Sequence, residues 1–528
     1  MVRVSAAENA MVSFVLLLSA LMPGQTTGEA TVPRSAAVSV VGPPLDSFSP
    51  GPTAQLYPIQ NDPPAGGSVP SSVPGTPRAA EAADAPLNFP GLTWSRAASA
   101  ESADAVAPAA PIEIPAPLLP TPVPPPVPPP PAPPPAPLPD RWWLMREVQG
   151  TALGAFLDDN RFFMTGWIEQ SFTGSTDKVT NGTITWNDQA NKYLLQQAWF
   201  RVGRSVVTSG TTSPSFGFQL DVLAGTDYRF TLPRGLLNSQ LYNSAGGQNL
   251  YGVDPIQEYV SMYLPTLFQG VELRLGRLYT PWGVESLEAV STPLLSRSYA
   301  FNWSPPFTHS GLAAYVTFTK EWSGVFMLAN GNDVFFGDPS EELRFVGNLR
   351  WVQPGGRNTV TVATSLGRGK FNPAYATPPQ QSTVALATEP FGRNNFNAFD
   401  IVYTHLFNSV LSYNLEGIYG YQYNVPQDAM AVGSSNGFAN WFSAAHYLFW
   451  TISPKWGSIV RFETFDDCQG QRTGFAGLYT SLTTGVQYHI NKSMVIRPEL
   501  RYDDNWLQKP FEGHHGIFTA ASDLIIRW

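Results

Sequence analysis

Charge is what this sequence has least of. Only 13% of its 528 residues are Asp, Glu, Lys or Arg, against about 25% in an ordinary soluble domain. A surface that faces lipid would account for the deficit. Cysteine is nearly absent too. Cys468 stands alone, so no internal disulfide can form and there is no CxxC spacing for a metal or redox centre. No apolar run reaches the roughly 18 residues a membrane-spanning helix requires. If the chain crosses a bilayer it must be a barrel, because only helices and closed barrels satisfy their own backbone in lipid. The formal net charge is −9, with no basic block, which argues against nucleic acid as a partner. The histidines are scattered, and the His-Glu-x-x-His spacing of metallopeptidases is missing. No catalysis, metal or cofactor is expected.

What is present falls into zones. Arg3 precedes a short apolar core, Met11–Met22, which reads as a secretory signal within residues 1–30. Residues 31–140 are rich in Pro, Ala, Ser and Gly and culminate in the run Pro124–Pro135. Such a segment cannot pack a core and is expected to be a disordered, periplasmic polyproline II arm. At ~3.1 Å per residue, its Pro-rich part extends roughly 90 Å. It is either a plain linker or a tether toward the cell wall. Residues 141–160 form a short periplasmic segment, with a candidate helix up to Val148 and Asp140 as its N-cap.

From 161 to 528 the period changes to two. About sixteen strand candidates follow one another, from Phe162–Phe172 through Val271–Thr280, Ser310–Lys320 and Ser493–Asp503 to Gly516–Trp528. The connections are more telling than the strands. Short ones such as 264–270, 320–322, 453–455 and 491–493 alternate with long ones at 174–192, 229–255, 281–309, 331–342, 370–394, 423–438, 467–479 and 504–515. Short turns at one end and long loops at the other describe an all-β, transmembrane, antiparallel up-and-down barrel, with both chain ends on the periplasmic side. The chain stops on Trp528, an aromatic ending of the kind the barrel-assembly machinery reads. A soluble edge strand would look similar in isolation, but the sustained alternation does not suit a sandwich.

Within the strands one face is apolar and the other charged. Met494, Ile496, Leu500 and Tyr502 oppose Arg497, Glu499, Arg501 and Asp503. Leu273 and Leu275 oppose Glu272 and Arg274, and Val460 and Phe462 oppose Arg461 and Glu463. Arg344, Arg350, Glu416, His489 and Asp523 also fall on charged faces. Arg or Lys facing the bilayer midplane costs about 2–4 kcal/mol, so the charged faces must point inward. They imply a wet pore, or charges paired across strands. Tyr and Trp at strand ends, including Trp322, Trp351, Trp441, Trp450 and Trp456, are expected to form interfacial girdles in the outer-membrane lipid.

The segment Gly270–Glu285 contains G-R-x-x-T-P-x-G-x-E. It is followed by Ser296-Arg297-Ser298-Tyr299 and by His309-x-Gly311. This strand, loop and strand resembles the β-barrel porins of the OmpL-like type, and Phe163–Glu169 resembles their opening strand. The resemblance covers about 161–528 and implies an outer-membrane porin passing small hydrophilic solutes or ions. The long proline-rich arm departs from the family's usual form. Porins fold their third long loop into the lumen, and here that place belongs to 281–309. Arg297, Tyr299, Glu285, Glu288 and His309 are then candidates to face Arg274 and Arg277, either pinning the loop to the wall or meeting solute. Trimers are common in such porins, but the sequence shows no interface.

Overall fold

The computed structural model describes residues 142–208, 210–244, 247–336, 343–370, 395–425 and 437–528. The expected signal segment, the proline-rich arm and Asp140 lie outside them.

Sixteen strands follow one another. They are β1 (Phe162–Ser175), β2 (Lys192–Arg204), β3 (Ser215–Gly225), β4 (Gly252–Leu264), β5 (Val271–Tyr279), β6 (Thr308–Thr317), β7 (Trp322–Ala329), β8 (Arg344–Val352), β9 (Asn358–Leu366), β10 (Asn397–Leu406), β11 (Leu411–Tyr423), β12 (Phe438–Ser453), β13 (Trp456–Asp467), β14 (Gly477–Asn491), β15 (Met494–Asn505) and β16 (Gly516–Arg527). Each pairs antiparallel with its sequence neighbours, and β1 pairs with β16, so the sheet is a closed barrel without an edge. The expected alternation of connections holds, except that 205–214 on the short side is as long as 506–515 on the long side. Strand limits shift by a few residues. β6 ends at Thr317 because Phe318 and Thr319 already donate their N–H groups to Trp322 O, which closes the turn into β7.

Closure occurs at the short-turn end. β1 and β16 pair from Trp167↔Arg527 to Ser175↔Thr519. Beyond the last pair, Gly166 and Trp528 exchange backbone bonds of 3.1 and 3.0 Å, and Thr165 Oγ1 donates to Trp528 O at 2.8 Å. The final residue is therefore built into the seam. Glycine is required beneath it, because a Cβ at Gly166 would lie 2.8 Å from the Trp528 ring and 2.1 Å from Trp199 O.

Burial alternates along the strands as the charge pattern predicts. In β15, Arg497, Glu499, Arg501 and Asp503 are buried inside, while Leu500 and Tyr502 are exposed on the outer surface. Trp322, Trp450 and Trp456 are exposed, as girdle residues should be. Trp441 is not one of them. It shares the inward parity of Ser443 and Ala445, and its ring lies over Gly420, where a Cβ would come within 2.2 Å of the indole.

Among the described residues, two helices at the short-turn end precede β1. α1 is Trp143–Val148 and α2 is Ala152–Asp159. The N-cap of α1 is Trp142, which offers no side-chain bond, rather than the expected Asp140. Periodicity did not reveal α2, which is too short to show a repeat. Its local signal is Thr151, whose hydroxyl accepts the Gly154 N–H at 3.1 Å.

Enlarging Gly166 to Val should force the Trp528 ring out of the seam. Overpacking of this kind costs about 1–3 kcal/mol. The yield of heat-modifiable folded barrel should fall in Gly166→Val, and should fall similarly on deletion of Trp528, with export unchanged. Normal barrel yield from both would show that the seam does not need this contact.

Candidate functional site: the loop inside the barrel

The connection 280–307 leaves β5 and turns into the barrel, and almost every residue along it is buried. Its first anchor is Pro281, whose carbonyl accepts the Asn348 amide of β8. Gly283 N–H reaches Asp400 of β10 at 3.2 Å. Glu285 accepts Arg461 of β13 at 2.7 Å and Tyr447 of β12 at 3.2 Å, and its other oxygen accepts Ser298 N–H at 2.8 Å. Glu288 pairs with Arg201 of β2. Arg497 of β15 donates to the carbonyls of Ala289 and Thr292 at 3.0 and 2.6 Å. Ser296 N–H rests on Glu499, and Tyr299 N–H rests on Glu463 at 2.6 Å. Arg501 donates to Arg297 O at 2.7 Å. Ser298 then caps a short helix, Tyr299–Trp303, by accepting Phe301 N–H at 2.9 Å.

Wall charges thus serve two partners at once. A guanidinium carries five donors in a planar fork. Arg497 spends some on Asp523 and Glu169 and the rest on loop carbonyls. Arg501 divides its donors between Asp503 at 2.7 Å and the loop. Charge-assisted bonds contribute about 1.5–3 kcal/mol each, which is enough to hold a loop against its own entropy. The G-R-x-x-T-P-x-G-x-E and S-R-S-Y residues are largely the ones that make these bonds, so the motif is a set of anchors.

Apolar side chains fill the space between anchors. Trp282, Val284, Leu294, Tyr299, Ala300 and Trp303 pack with inward Tyr447, Ile459, Phe465 and Tyr479. Trp186 of the first long connection stacks on Phe230 at 5.2 Å and lies near Phe301 and Phe307. Trp303 Nε1 donates to Thr183 O at 3.1 Å, and Trp186 Nε1 donates to Asn302 at 3.2 Å. Of the two expectations for the inward charges, pairing holds at the level of the loop, where loop and wall side chains also form an apolar cluster.

The other expected residues divide into two sets. The Arg297 side chain does not pin the loop to the wall, although its carbonyl accepts Arg501. It donates to Leu295 O at 3.0 Å, lies 4.8 Å from the Trp186 ring centre, and is 2% exposed. Arg277 does not meet the loop acids. It holds Asp254 at 2.6 Å, the carbonyls of Pro255 and Thr231, and Thr308 at the loop's far end. His309 already belongs to β6, where its Nδ1 bonds Gly331 O at 2.9 Å. Arg344 serves Ser365, Phe396 O and Asn397 near the adjoining connection. Glu416 is buried beside Gly283. His489 is half-buried on β14, two residues beyond Gln487, which holds Pro293 O at 2.5 Å. Glu272 and Arg274 pair with each other at 2.9 Å, and Arg274 lies between the rings of Tyr259 and Tyr315. Arg350 is half-buried on the inward parity of β8, and among the described residues it has no hydrogen-bond or ion-pair partner. Sequence reasoning missed Gln197, which binds both Leu287 O and Ala289 N–H. It also missed the inward aromatics, whose one signal is an apolar residue on the charged parity of β12 to β14.

A sixteen-stranded closed barrel with a loop anchored across its interior defines a porin-type membrane barrel. The family described as "Putative beta-barrel porin-2, OmpL-like" matches residues 161–525. The chain belongs to that family. Among solved structures, it is similar to an anion-selective porin from Comamonas acidovorans, with 10% identity over 70% of this chain and 99% of that one and a TM-score of 0.44. OprB of Pseudomonas putida gives 12% identity over 71% and 96%, with a TM-score of 0.43. Salmonella typhi OmpF in complex with daunomycin gives 12% identity over 70% and 98%, with a TM-score of 0.45. A comparison with curated proteins finds no match.

Two outcomes follow from this geometry. Arg461→Met leaves Glu285 buried without its guanidinium, and Glu463 with Arg501 alone at 3.6 Å, a loss of about 3–5 kcal/mol. Arg274→Gln breaks a pair and ring contacts that do not touch the loop. Limited proteolysis should therefore cut within 280–307 in the first variant and spare the second. At the long-loop end, Glu512 accepts the N–H groups of Lys178, Val179 and Thr180 at 3.0, 2.8 and 3.1 Å. Those bonds hold its carboxyl below the usual value. The stability it lends is present above about pH 4.3 and is lost as pH falls through the lowered value. Burial and the Glu512 charge push Asp177 up to about 6, against His514. Its contribution is present below about pH 4 and is lost as pH rises through about 6. Protection factors of the 178–180 amides, corrected for the intrinsic pH dependence of exchange, should be highest between those limits, and Glu512→Gln should remove the acid limb.

Proposed function

We propose that the protein is a diffusion pore of the bacterial outer membrane for small hydrophilic solutes, with its short-turn end and both chain ends on the periplasmic side. The observation that carries the reading is the loop 280–307, held inside the barrel by Arg461, Arg497 and Arg501 rather than left outside it. A loop so placed sets the narrowest part of the path. A low-dielectric wall focuses the field of any uncompensated charge along such a path. Arg297 is buried and Arg461, Arg497 and Arg501 are neutralised by carboxylates, so they contribute little to that field. Arg350, which has no hydrogen-bond or ion-pair partner among the described residues, is left to contribute to it.

Planar-bilayer recording of the full chain tests this. Wild-type protein should give discrete conductance steps. Deletion of 286–305, which removes no strand, should enlarge them. Arg350→Gln should move the reversal potential toward cations, and Arg297→Gln should leave it in place. Absence of steps in the wild type and the deletion alike would end the pore reading. A second reading, an anchor tethered to the cell wall through 31–140, is supported by the reach of the proline run. Deleting the arm separates the two, because a tether predicts intact flux with loss of envelope integrity.

A further inference from the structure

We infer that α2 is a membrane-interface anchor, with Leu153 and Phe156 entering the phospholipid leaflet at the short-turn end of the barrel. The inference rests on the reading of the barrel as membrane-spanning. On β1 the inward parity is taken by Trp167, Glu169, Ser171 and Thr173, all buried, so Phe162 and Phe172 belong to the outer face. Phe156 of α2 stacks on Phe162 at 5.9 Å and 25°. Phe162 in turn meets Phe218 at 5.9 Å. Phe218 stands on the outer face of β3 with Phe216 and Leu220, and is paired in register with the exposed Val260 of β4. An aromatic chain therefore runs from the helix onto the lipid-facing wall.

The helix itself is amphipathic. Leu157 is buried, whereas Leu153 and Phe156 are 52% and 55% exposed on the same side. Phe156 joins this exposed side to the outer wall through Phe162. At 8 residues, α2 is shorter than the roughly 12–15 residues an isolated helix needs, so it depends on what covers it. Beyond its C-terminal end, Arg161 lies beside Arg204 at the rim of β1 and β2. Two guanidinium groups next to an apolar helix face suit the boundary between phosphate headgroups and acyl chains. The Trp528 ring lies against Gly166 of the same strand, as an interfacial aromatic does. The occupant of this surface is thus phospholipid.

The test uses the full chain with Cys468→Ser and one new cysteine at a time, labelled with an environment-sensitive dye and reconstituted in phosphatidylethanolamine–phosphatidylglycerol vesicles. Leu153→Cys reports the apolar side of α2, and Ala155→Cys reports its opposite side. Leu500→Cys, exposed on the outer face of β15, reports the barrel wall. Doxyl-labelled lipid should quench the probes at 153 and 500 several-fold more strongly than the probe at 155, and the probe at 153 should emit further to the blue. If 500 is quenched but 153 and 155 are equally open to aqueous iodide, the helix lies in water and the inference fails alone. If 500 is not quenched, the membrane reading fails and the inference falls with it.

Discussion

The structure depends on one constraint: at bilayer depth no backbone N–H or C=O can be left without a partner in the protein. An open sheet of sixteen strands would violate it along two edges. The chain meets it by returning its last strand to its first, and Trp528 completes the ladder against Gly166. Closure then separates two faces permanently. Apolar side chains keep the outer one. Most charged residues of the strands, Arg461, Glu463, Arg497 and Arg501 among them, are left to the interior, where each must find water or an opposite partner.

Much of the interior is resolved by pairing and by the loop together. Arg461, Arg497 and Arg501 each touch a carboxylate and the loop. Removing the loop's carbonyls from this arrangement would leave guanidinium donors unmet, and removing the arginines would leave carboxylates buried and bare. The wall and the loop are therefore stable as a unit. The aromatic packing around Tyr299 and Trp186 adds apolar burial to the same unit. This rigidity suits the proposed diffusion path. A constriction discriminates among solutes only when its radius and charges stay in place.

The sequence by itself determined the barrel. A period of two, charges on one parity, and short turns alternating with long loops are properties of neighbouring residues. They specify strand number, order and facing, because a strand in a meander pairs with the next one along the chain. They also predicted that 281–309 would enter the lumen, through a motif shared with a family. What only the tertiary structure decided is which charge meets which. Ser296 and Glu499 stand 203 positions apart, and Arg461 and Glu285 stand 176 apart. Their meeting follows from the diameter of the closed sheet, not from any local pattern. The same holds for Arg297, which looks in sequence like a pore charge and lies beneath Trp186. It holds for Trp441, which looks like a girdle residue and fills the space above Gly420. Side-chain parity is local physics and can be read along the chain. The depth of a side chain in a shared interior depends on what the opposite wall and the returning loop bring to it, and that exists only once the barrel has closed.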